Sequence, residues 1–165
     1  MDDLLRKAEK IGAVLTARGQ TVAVAESSAG GLVSAALLSV PGASAYFLGG
    51  AVVYTAAARV TLLDIGEAEM DGLRSASEPY ALILARTVGE RHGATWGIAE
   101  TGAAGPSGNR YGDAAGHTCL AVSGPVERVV TIETGEADRV TNMCAFAAAL
   151  LELLDESLVT DPSPA

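Results

Sequence analysis

Apolar residues recur three and four positions apart at Leu4, Ala8, Ile11 and Leu15, which predicts an amphipathic helix over Asp2–Arg18, stopped by Gly19. The β-branched run at 21–25 predicts a short buried strand. A small-residue loop, Glu26-Ser27-Ser28-Ala29-Gly30-Gly31, follows it, and a helix is predicted over 30–40, closed by Pro41-Gly42. Residues 46–54 read as a second strand in which Gly49-Gly50 marks a bulge or a close backbone approach. Helices are predicted at Ala56–Leu63 and Glu78–His92, the latter with Ser77 as N-cap and Pro79 in its first turn. A strand at 95–101 ends in a second glycine-rich loop, 102–108. Strands at His117–Ser123 and 127–134 are joined by Gly124-Pro125, short enough for a hairpin, so one strand runs antiparallel. Met143, Phe146, Ala147, Leu150 and Leu154 stripe a last helix over 138–156.

Helices alternating with strands predict an α/β fold, a three-layer α/β/α sandwich around a mixed, mostly parallel sheet. One domain is expected over 1–159, with a frayed tail at 160–165 that carries two prolines and no apolar anchor. The 165 residues suit a single core, and 49% hydrophobic against 19% charged residues exclude a disordered chain. Aromatics are only 4%, so the core is built from small and aliphatic side chains packed closely.

The net charge of −9 comes with no basic stripe, which argues against nucleic acid as a partner. A small anion at a helix N-terminus stays open. Cys119, Cys144, His92 and His117 lack metal or redox spacing, so two buried thiols and ordinary hydrogen-bonded histidines are expected, with no metal and no cofactor. Neither a signal peptide nor a membrane span is visible, and the expected location is the cytoplasm. Small-residue α/β domains often pair, so a homo-oligomer is left open.

Ligands in open α/β sheets bind beyond the carboxyl ends of the strands. That rule brings Ser27, Ser28, Gly30 and Gly31 near Thr101, Gly102 and Gly105. The helix starting near Gly30 would aim its free N–H groups at the same spot. A serine there is a nucleophile or an N-cap, and one of the two serines is expected to be a cap. The spacing fits neither the G-x-S-x-G elbow nor the Walker or dinucleotide patterns. From the residues alone the site is a phosphate or carbonyl pocket, with a serine nucleophile as one option.

The run Ala25-Glu26-Ser27-Ser28-Ala29-Gly30-Gly31 resembles the A-E-S-C/S-T-G-G signature of the CinA C-terminal domain family. Further stretches agree in order: Pro41-Gly42-Ala43-Ser44 with Tyr46-Phe47, Gly50-Ala51-Val52-Val53-Tyr54, Ser77-Glu78, Gly102-Ala103-Ala104-Gly105-Pro106, and Gly116. The resemblance implies the three-layer sandwich and, for active members, hydrolysis of the carboxamide of nicotinamide mononucleotide to nicotinate mononucleotide and ammonia. It also implies Ser27 as nucleophile, assisted by Tyr54 and by a lysine at position 59. A nucleotide-sized pocket would then involve Glu26, Ser28, Gly30, Gly31, Thr101, Gly102 and Gly105, with Arg139 on a phosphate.

The chain departs from this pattern. Position 59 is Arg59, whose guanidinium is effectively never neutral and cannot take a proton from Ser27. The signature threonine is Ala29. Three accounts follow: Tyr54, beside the cation of Arg59, is the base; the protein binds a nucleotide without hydrolysing it; or another amide or ester is the substrate, with Glu26 or Glu100 as base. Each glutamate is otherwise a solvated or backbone-bonded carboxylate. The loop carrying Asn109, Arg110, Tyr111 and Asp113 is a lid or a plain surface loop.

Overall fold

The computed structural model describes residues 2–161. Its strands are β1 (Val22–Glu26), β2 (Phe47–Val52), β3 (Trp96–Ala103), β4 (His117–Ser123) and β5 (Arg128–Glu133). They form one sheet in the order β2-β1-β3-β4-β5. β1 is parallel to both neighbours, while β4 is antiparallel to β3 and to β5. The helices are α1 (Asp2–Arg18), α2 (Leu32–Leu38), α3 (Ala56–Leu63), α4 (Glu78–His92) and α5 (Arg139–Thr160).

Strand alternation explains how the two sides differ. Val22, Val24, Trp96, Ile98, Leu120 and Val122 face one way and bury with α1, α2 and α5. The intervening Ala23, Ala25, Ala99, Cys119 and Ala121 face α4, together with Tyr80, Leu84 and Val88. The second face is paved with small side chains, so α4 lies close against it. A Cβ on Gly97 would come 1.9 Å from the carbonyl oxygen of Ala85, backbone that cannot move aside. Alanine and glycine abundance is thus a packing requirement of this layer.

The elements match the sequence expectation apart from their ends. The helix expected over 30–40 is only Leu32–Leu38, because the loop before it uses Gly30 and Gly31 at positive φ. β1 extends to Glu26, and β3 to Ala103. The glycine pair in β2 gives both expected effects: the β1–β2 register shifts at Val22/Ala23, and a Cβ on Gly50 would collide with Ser34. Ser77 is the N-cap residue of α4, but its hydroxyl donates to the Arg74 carbonyl instead of capping.

The tail needs correction. Thr160 is the last residue of α5, and the buried Asp161 accepts from Gln20 (2.7 Å) and Arg18 (3.4 Å). The anchor is polar, so an apolar pattern could not announce it. Residues 162–165 of the expected frayed tail lie outside the described residues. Cys119 is a buried thiol as expected, whereas Cys144 is only partly buried. Among the described residues no helix is long and apolar enough to cross a membrane.

Candidate functional site

β1 and β3 end side by side with Glu26 paired to Glu100, and both carboxylates are wholly buried. Each is saturated by donors. Glu26 accepts from the N–H groups of Gly31 (3.2 Å), Val33 (2.8 Å) and Ser34 (3.0 Å) and from the Ser34 hydroxyl (2.7 Å). It therefore caps α2 and fills the place an external anion would take. Glu100 accepts from the N–H groups of Ser27 (3.1 Å) and Ala29 (2.8 Å), and from the hydroxyls of Thr118 (3.0 Å) and Ser28. Burial pushes the Glu100 carboxyl up from the ordinary carboxylate value, and the donors from Ser28, Ala29, Thr118 and Ser27 pull it back. Its work is to hold the backbone on both sides of Ser27 in place.

Ser27 itself lies half-buried on the wall of a cleft of about 480 Å³. Among the described residues its hydroxyl makes no hydrogen bond, while its N–H and carbonyl are both engaged. Across the cleft stand Tyr54, which follows β2, and Arg59 and Tyr80 on α3 and α4. The Tyr54 oxygen accepts from Arg139 Nη2 (3.0 Å), and the Arg139 guanidinium lies 5.8 Å from the Tyr54 ring centre. Arg139 Nη1 also donates to the carbonyl of Gly105 (2.6 Å), tying α5 to the loop after β3. Arg59 is buried, donates from Nε to the Ile65 carbonyl (2.9 Å) and sits beside the Tyr80 phenol. Burial raises the Tyr80 phenol above its ordinary value, against the pull of Arg59.

The outer wall is the loop 106–115 with the segment 67–77. Asn109, Arg110 and Tyr111 line the cleft with Ser75, Leu73, Met70 and Glu67. Two cations lie over the Tyr111 ring, Arg110 at 5.0 Å and Arg74 at 5.3 Å from its centre. The hydrogen bond from Arg110 lowers the Tyr111 phenol. Arg74 grips Asp113 through two bonds (2.5 and 3.1 Å) and holds that carboxyl below its ordinary range. Behind them the two ring nitrogens of His117 each face an acceptor, the Glu133 carboxylate (2.5 Å) and the Ala76 carbonyl (3.0 Å), and only the protonated ring can donate to both.

This geometry can be set beside known proteins. A model of the CinA C-terminal domain matches residues 5–158. The chain belongs to the CinA C-terminal domain family. A CinA-like protein of Anaeromyxobacter sp. (strain K) is 40% identical over 142 residues, covering 85% of this chain and 35% of the relative. One of Synechococcus sp. (strain CC9902) is 43% identical over 106 residues, covering 64% of this chain and 25% of its own length. The chain thus spans about a third or less of such relatives. Among solved structures, the competence/damage inducible protein CihA from Agrobacterium tumefaciens superposes with a TM-score of 0.85 at 30% identity, covering 95% of this chain and 96% of that one. A CinA superfamily protein from Klebsiella pneumoniae 700603 reaches 0.89 at 23% identity, covering 95% and 98%, and that likeness supports the fold alone.

This CinA domain brings Ser27, Tyr54, Arg59, Thr101 and Gly102 together on the cleft. Thr101 also receives the Ala76 N–H (3.2 Å), which pins the segment before α4. The other expected binding residues stand elsewhere. Glu26 is the α2 cap, and Ser28 is buried on Glu100. Gly30 packs under Met143, Gly31 is the N-cap residue of α2, and Gly105 is wedged against the Ala137 carbonyl. Arg139 is a strut between Tyr54 and Gly105 and does not line the cleft. Neither serine caps the helix, because the longer Glu26 side chain reaches its N–H groups first. The cation on Tyr54 is Arg139, not Arg59.

Sequence reasoning missed Tyr80, Ser75 and the stretch 67–73. Tyr80 falls on the buried stripe of α4 and reads as core, and 64–77 has no periodicity from which to place it. The loop 106–115 was legible only by its length and its cluster of polar and aromatic residues.

Proposed function

We propose that this domain is an amidohydrolase of the nicotinamide-nucleotide amidase type, with Ser27 as nucleophile. The observation that carries the proposal is the Ser27 hydroxyl, free of partners among the described residues on a nucleotide-sized cleft while its own backbone is clamped by Glu100. A nucleophile held this way loses little freedom on meeting a carboxamide carbon. Its oxygen forms the new bond, ammonia leaves with a proton, and water then cleaves the ester to release the acid. Arg59 cannot accept the serine proton. Tyr54, as its phenolate, is the acceptor this reading uses; Arg139, which donates to that oxygen, offsets the charge, and the proton passes on to the departing ammonia.

A second reading, binding without turnover, is favoured by one observation: the Ser27 hydroxyl makes no hydrogen bond to any described residue, Tyr54 included. Ammonia release from nicotinamide mononucleotide decides between them. Hydrolysis predicts release by the natural chain and at least about a hundredfold loss in Ser27→Ala. Release only from Arg59→Lys would show that the pocket is intact and its base lost. Silence from every form, with the ligand bound, would leave the second reading.

A further inference from the structure

Three charged groups are buried around this site, and one of them is unbalanced. Glu26 and Glu100 are saturated with donors. Arg59 is only 6% exposed and forms no ion pair among the described residues. Its Nε is used on the Ile65 carbonyl and its guanidinium hydrogen-bonds the Tyr80 phenol. Both of these contacts are neutral, so neither cancels the positive charge. Glu67 lines the same cleft but is exposed and does not pair with it. A desolvated cation is costly when its counter-charge is missing, and the cost falls when a ligand supplies one.

We infer that Arg59 is the receptor for a ligand carboxylate, so that the cleft binds the acid form of its ligand in preference to the carboxamide. A planar carboxylate carries one charge and matches the fork of a single guanidinium. A phosphate carries up to two and would be under-compensated by one buried cation. A carboxamide offers no charge, and its NH2 would face donors with donors. The class of ligand is therefore a carboxylate small enough to enter beside Ser27, such as an aromatic acid or its nucleotide. This inference rests on the same cleft as the proposed function but not on turnover. If the domain does hydrolyse a carboxamide, its product is held more tightly than its substrate.

Calorimetric titration of the natural chain with nicotinate mononucleotide, nicotinamide mononucleotide, nicotinate and nicotinamide tests this without any variant. The expected result is a preference of roughly tenfold or more for each acid over its amide. Arg59→Gln should abolish that preference and Arg59→Lys should keep part of it, with thermal melting used to verify that both are folded. Acid binding by free nicotinate without binding of either nucleotide would uphold the inference and sink the nucleotide reading. Ammonia release together with equal or tighter binding of the amides would uphold the hydrolase and overturn the inference. It is equally overturned if Arg59→Gln weakens both nucleotides alike, which would put the phosphate on Arg59, or if none of the four ligands binds.

Discussion

Glu100 and Arg59 are both buried charges at the same end of the sheet, yet they are built in opposite ways. Glu100 sits below the Ser27 loop with two backbone and two hydroxyl donors on its carboxylate. Arg59 stands on the cleft wall with a carbonyl and a phenol and, among the described residues, no acid. A buried charge that the protein itself satisfies is part of the scaffold, because removing it strands its partners. One that the protein leaves without a counter-charge is open to a ligand that brings one. Burial alone does not separate the two; the partner list does.

The largest effect that would sharpen this contrast is expected at Glu100. Glu100→Ala strands the N–H of Ala29 and two hydroxyls and leaves the Ser27 N–H only the backbone carbonyl of residue 100, and should cost about 3 kcal/mol or more of stability in urea unfolding. A loss below about 1 kcal/mol would break the scaffold half of the comparison. Glu26→Ala comes next, at about 2 kcal/mol, since α2 is short and has this single side chain as its cap. Arg59→Met should change stability by less than about 1 kcal/mol, and in either direction, because it deletes an unneutralised charge along with one carbonyl bond. A large loss there would mark Arg59 as scaffold too.

His117 adds a pH dependence. Burial pulls its pKa down, but the bonds to Glu133 and to the Ala76 carbonyl and the nearby charge of Asp113 outweigh this, and the net shift is upward from 6.5. A raised folded value means the native state holds the proton more tightly than the unfolded chain. The stabilisation is fully present below about pH 6.5 and is lost as pH rises through the folded value. Melting temperature against pH for the natural chain and His117→Gln should converge on the alkaline side; parallel curves would contradict it. The smallest effect belongs to the surface pair Lys10–Asp155 between α1 and α5, where Lys10→Ala should cost under about 1 kcal/mol in the same unfolding assay.

The sequence made the architecture legible because period-2 and period-3.6 patterns are strong in this chain. Trp96, Ile98 and Leu120, Val122 point one way, and alanines point the other, as alternation requires. The Ser27 loop and the end of β3 bearing Thr101 and Gly102 were placed together by a topological rule that needs no coordinates. The roles of Glu26 and Ser28 were not readable, since a carboxylate six residues before a helix has no fixed reach until the loop is folded. The contact of Arg139 with Tyr54 was hidden for a related reason: their separation in sequence says nothing of the 3.0 Å between them. The anchor at Asp161 was hidden because its partners, Gln20 and Arg18, lie at the other end of the chain.

A crystal structure with nicotinate mononucleotide bound would test the central claim most directly. The account predicts the ligand's carboxylate on the guanidinium of Arg59, with its carbon facing the Ser27 hydroxyl. A ligand seated outside this cleft, or one whose carboxylate faces solvent while Arg59 stays unpaired, would contradict it.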